Sequence, residues 1–186
     1  MGQLLASVTD HAALPEYVAL LPADAETERL AAVYVAAETA YTELQQALAA
    51  AVRRQAELTD QASTPEVVAQ WSAAAREMAV LPDRIGAARR VAVLAALAYL
   101  RQLWQAGINE ARRLDAELPP DTWRRPGTAP GVRLEKGARL CNELAGQRYG
   151  TDLQHPDTWE KVADRWARSA LAQAESISAP RTAALQ

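Results

Sequence analysis

Phenylalanine is absent from the chain, and cysteine occurs once, histidine twice and lysine twice. The single cysteine, Cys141, excludes an intramolecular disulfide framework. His11, His155 and Cys141 stand at no ligand spacing, which leaves a zinc site without donors. A carboxylate-bridged di-metal bundle fails as well, because Glu38, Glu43 and Glu57 lack Glu-x-x-His partners. The GxxxxGK[ST] and GxGxxG phosphate loops and the G-x-S-x-G elbow are missing, so no cofactor and no catalytic motif is expected. β-Formers are scattered, and a sheet has little to be built from. No charged, apolar and small-residue succession of a secretion signal opens the chain. The longest apolar run, residues 91–100, reaches about half a bilayer at 1.5 Å per residue. A cytoplasmic protein without a membrane partner is the expectation.

What is present favours helix. Of the 186 residues 49% are hydrophobic and 23% charged, which suits one main core, and much of the apolar content is alanine, the best helix former. Charge is unevenly spread: residues 1–63 carry three basic and nine acidic groups, 64–150 thirteen and nine, and 151–186 four and five. A basic middle can steer a polyanion or pair with an acidic neighbour helix.

Residues 1–21 hold Leu4, Leu5, Val8, Leu14, Val18, Leu20 and Leu21, with Pro15 and Pro22 interrupting, so short helical pieces are expected to cap a longer element. From Asp24, an N-cap followed by Glu26 and Glu28, a heptad seam runs through Leu30, Tyr34, Ala37, Tyr41, Leu44, Leu48, Ala51, Gln55 and Leu58, predicting a helix to about residue 61. Thr64 and Pro65 read as N-cap and first helical residue of a second arm. This arm continues through Val67, Val68, Trp71, Ala74, Ala75, Met78 and Leu81, with a kink or short break at Pro82 and Asp83 as a new cap. It resumes from Ile85 through Val91, Leu94, Leu97, Leu100, Trp104, Ile108, Ala111, Leu114 and Leu118.

Two striped arms joined by a tight turn bury their stripes against each other. The expected fold is all-α: a long antiparallel helical hairpin, bundle-like or coiled-coil-like, with short N- and C-terminal helices packed on it. The expected organisation is a capped hairpin over 1–118, a Pro/Gly-rich linker or loop over 119–131, a small C-terminal helical pair over 132–177 and a disordered tail over 178–186. The pair comprises a helix near 134–148, interrupted by Gly137 and Gly146, and one opened by a capping box at Asp157 and Glu160. Residues 91–100 are apolar all round and require a cover from the terminal helices or a second copy.

Cys141 reads as a small core residue among leucines. Trp71, Trp104, Trp159 and Trp166 fall at core spacing, whereas Trp123 sits in the loop beside Arg124 and Arg125, able to stack on a base, anchor a partner or fold back on the hairpin. The candidate contacts to a partner or nucleic acid are Arg89, Arg90, Arg101, Arg112, Arg113, Trp123, Arg124, Arg125, Arg133, Lys136 and Arg139. Arg90, Arg101 and Arg112 recur every eleven residues, a line of roughly 33 Å that could follow a phosphate backbone. Pairing of these charges with carboxylates in the chain is the favoured reading. The function expected is a non-enzymatic helical assembly subunit that forms a homo-oligomer or joins a hetero-complex. The alternative is the small nucleic-acid-associated subunit of a nucleoprotein complex.

Overall fold

The computed structural model describes residues 13–61, 64–118 and 131–179. Five α-helices carry them: α1 (Ala13–Val18), α2 (Ala25–Thr59), α3 (Pro65–Ala116), α4 (Gly131–Tyr149) and α5 (Trp159–Ser178), with a 3-10 turn at Pro156–Thr158. No strand occurs among the described residues, and the chain is all-α. It divides into two compact units, one holding the described residues of 1–35 and 94–162, the other those of 36–93 and 163–186.

Both long helices start where their capping residues dictate. Asp24 accepts the Thr27 amide at 3.0 Å, the Thr27 hydroxyl at 2.8 Å and the Gln102 side-chain amide at 2.9 Å. Thr64 Oγ1 accepts the Val67 amide at 3.3 Å, with Pro65 as the first residue of α3. The Thr27 hydroxyl first, then the Thr27 amide and Gln102, hold the Asp24 carboxyl below its ordinary value of 3.8. A group with a depressed folded pKa stabilises fully above its ordinary value and ceases to do so as pH falls through the folded one. Asp24→Asn is therefore expected to lower the melting temperature at pH 6, with the gap to wild type closing as the pH drops below about 4. Thermal unfolding at pH 6 and pH 3 checks this.

In the second unit, the pairs Arg54–Glu77, Thr59–Trp71 and Glu38–Arg89 link α2 to α3, rising in number on one helix as they fall on the other. Only an antiparallel hairpin gives that ordering. Its core joins Leu48 and Ala51 of α2, Met78, Leu81 and Ile85 of α3 and Ala170 and Ala174 of α5, with Tyr41, Leu44, Ala47 and Val52 packed around them. The α2 seam is buried or half-buried at every expected position.

Helix α3 does not break at Pro82. Proline removes one backbone donor and crowds the preceding turn, a cost of about 3 kcal/mol in a helix interior, but Pro82 is buried between Leu81 and Ile85 of the core, whose burial offsets that cost. Asp83 thus lies inside the helix and caps nothing. Trp71 is also corrected: it is 41% exposed, held at the surface by an indole hydrogen bond to Thr59 Oγ1 at 3.3 Å. Val68 and Val91, placed on the stripe by spacing, are more than half exposed.

The first unit is organised around Tyr17 of α1. Its ring is buried, its hydroxyl donates to the Leu103 carbonyl at 2.7 Å, and it lies where a side chain on Gly107 or Gly137 would have to go. Gly137 therefore does not interrupt α4; it is the slot that lets α1 pack there. Tyr34 stacks on Tyr99 with centroids 6.1 Å apart. Leu97, Leu100, Leu103, Leu134, Leu144 and Leu153 are buried with them. Gly146 does not stop α4 either, which runs to Tyr149 and is followed by Gly150 in the left-handed conformation with φ 68°. Ahead of α5 the chain takes a 3-10 turn with Pro156 at its start, so Asp157 lies inside that turn and is not the N-cap.

Ser178 is the last residue of α5, and residues 180–186 of the expected tail, like residues 119–130 of the expected linker and the apolar cluster before residue 13, lie outside the described residues.

Candidate interaction site

The arginines of the second arm are individually placed by what lies beside them. In the second unit, Arg89 is buried: its guanidinium reaches Glu38 Oε1 at 3.3 Å and sits 4.9 Å from the Tyr41 ring centroid and 5.1 Å from that of Trp166. A cation 7% exposed, with a carboxylate and two aromatic faces around it, is part of the packed interior and does not present itself to a ligand. Arg90 is half-exposed, and its Nε donates to Asp164 Oδ1 at 2.8 Å.

In the first unit, Arg101 is half-buried with its guanidinium 5.7 Å from the Trp159 ring centroid. Arg113 holds Glu110 and Glu117, both at 2.6 Å, and these partners raise its pKa. Arg139 stands 3.9 Å from Glu135. Arg112, Arg133 and Lys136 are exposed and pair with no carboxylate among the described residues. Trp123, Arg124 and Arg125 lie outside the described residues.

The apolar surplus at 91–100 is largely taken up inside the chain. Ala92 and Val93 are buried in the second unit, and Ala95, Ala96, Leu97, Tyr99 and Leu100 in the first; Val91 is exposed and Leu94 and Ala98 are half-buried. Other apolar side chains take their place at the surface. Leu20, Val33 and Val35 are exposed in the first unit, and Val68, Trp71, Val80, Val91 and Ile177 in the second. Of these, Val33, Val35, Val80 and Ile177 are not picked out by the sequence pattern, although β-branched residues beside a seam, as Val33 and Val35 are beside Tyr34, are a visible signal.

No group of three or more metal-binding side chains is assembled among the described residues. Cys141 is fully buried, and burial pushes its thiol up to about 12. It is expected to resist maleimide at pH 7.5 in the folded chain and to react in urea; native labelling within minutes would contradict that burial. Tyr17 and Tyr99 are likewise shifted upward, by burial first and then by Cys141. These groups pack; they do not exchange protons near neutral pH. By length and composition α3 could cross a membrane, with half of its most apolar window buried inside the chain. Compared with known families, curated proteins and solved structures, the chain matches none.

Proposed function

We propose that the chain is a non-enzymatic α-helical interaction subunit of the cytoplasm, which self-associates or docks on a larger complex through apolar helix faces. One contrast carries the reading. In the second unit the candidate contacts Arg89 and Arg90 are engaged by carboxylates of the chain, while Val68, Trp71, Val80, Val91 and Ile177 are left 41–54% exposed. Val80 and Val91 are eleven residues apart, three turns along one line of α3, and Val68 and Trp71 are neighbours one turn apart. Burying half of each such side chain is worth about 1 kcal/mol, so the five together come to about 5 kcal/mol, only the low end of the 4–15 kcal/mol cost of association. A second copy alone would be held weakly, and tight binding requires a partner that adds contacts of its own.

Light scattering of the full chain over a wide concentration range tests this, with Val80→Glu/Val91→Glu as the disrupting variant. A rising mass that the variant abolishes supports the reading. A strictly monomeric chain that also recovers no partner in a pull-down would leave it without support.

A nucleic-acid-associated subunit is the second reading, favoured by exposed Arg112, Arg133 and Lys136. It calls for salt-sensitive binding to single- or double-stranded DNA or RNA, weakened by reversing those three charges; no binding at low salt removes it.

A further inference from the structure

Between α1 and α4 of the first unit lies an open cavity of about 380 Å³. That volume is in the range of roughly 300–1,000 Å³ that receives small molecules. Its floor and walls are apolar: Ala13, the Tyr17 ring, Leu20, Gly137 and Leu140. The Tyr17 hydroxyl is engaged with the Leu103 carbonyl, so the residue offers the cavity carbon surface.

The rim is polar and asymmetric. Arg133 and Lys136, one turn apart on α4, line the same cavity as Glu16 of α1. Neither cation forms an ion pair with Glu16 or with any other carboxylate among the described residues, and neighbouring Glu135 is engaged by Arg139. Two cations against one carboxylate leave the rim positive. Arg133 also lies in the first turn of α4, where the helix dipole favours negative charge. An apolar trough with a cationic end is complementary to a molecule with an apolar body and an anionic head.

We propose that this groove binds a small anionic amphiphile, with its carboxylate or phosphate monoester on Arg133 and Lys136 and its aliphatic chain over Tyr17, Leu20 and Leu140. The site is independent of the assembly reading, and either can fail without the other.

Calorimetry on the full chain at low salt tests it, with octyl phosphate as the probe and inorganic phosphate and octanol as its two halves. Octyl phosphate is expected to bind at least about tenfold more tightly than either half, since each half keeps only one set of contacts. Arg133→Glu/Lys136→Glu should lose at least about tenfold in affinity. Glu16→Gln should gain about twofold, because it removes a like charge facing the head. In the wild-type chain, the Gly137 amide resonance should move with octyl phosphate, which keeps the test valid should the charge-reversed variant misfold. Equal binding of inorganic phosphate or octanol, unchanged affinity in the double variant, weaker binding by Glu16→Gln, or a stationary Gly137 resonance would each overturn the proposal. So would capture by phosphatidylglycerol vesicles without binding of soluble octyl phosphate, which would put the anion on a membrane surface.

Discussion

Gly137→Ala is expected to lower the stability of the chain by about 3 kcal/mol, although alanine is the better helix former by about 1 kcal/mol. The sign follows from what occupies the space. A Cβ at Gly137 would overlap the Tyr17 ring at several atoms, and one at Gly107 would overlap the same ring from α3. The ring cannot step aside cheaply, since its hydroxyl is fixed on the Leu103 carbonyl and its body is buried. Displacing it would forfeit a buried hydrogen bond together with aromatic packing. Gly146, in the same helix, provides the control: a Cβ there meets only the Thr151 carbonyl oxygen, at 3.9 Å, so Gly146→Ala should gain about 0.5–1 kcal/mol. Urea unfolding of both variants separates propensity from packing. A double-mutant cycle with Tyr17→Ala should show Gly137→Ala becoming harmless once the ring is gone; a cost that persists would locate the strain elsewhere.

The second large effect is expected at Arg89. Arg89→Ala should cost about 3–5 kcal/mol, because it leaves the Glu38 carboxylate partly buried without its partner and opens a void between two aromatic rings. Arg89→Lys should recover only part of this: an ammonium is a point charge and cannot lie flat between Tyr41 and Trp166. Arg89→Met combined with Glu38→Gln should be far milder than Arg89→Ala, since it removes both charges and keeps the volume. Thermal and urea unfolding of the three variants measure the order. If Arg89→Ala melts like the wild type, the cage contributes nothing and Arg89 becomes available to a ligand again.

These two positions also show what the sequence makes legible. The α2 seam, the caps at Asp24 and Thr64 and the antiparallel pairing follow from spacing, because a 3.6-residue period and a capping side chain are local properties. Gly137 reads as an interruption for the same reason: its purpose is a ring more than a hundred residues away, and local propensity carries no trace of it. Pro82 is similar, since a breaker is judged by its own geometry whereas its survival depends on the core around it. Arg89 stood among the candidate contacts because a charge list does not distinguish a buried cation from a solvated one. Trp71, Val68 and Val91 lie on the stripe by count, yet a helix that long presents part of any stripe to water. The groove between α1 and α4 could not be foreseen, because it arises from two helices brought together by Tyr17.

The division of the chain governs how its surfaces can be mapped. Each unit is assembled from two separated stretches, and α2, α3 and α5 each pass from one unit to the other. A deletion that runs past residue 35 from the N-terminus, or back past residue 163 from the C-terminus, therefore removes part of both cores at once, and such a shortened chain that fails to recover a partner reports collapse as readily as a lost footprint. Epitope mapping on this protein belongs to single surface substitutions on an otherwise full-length chain.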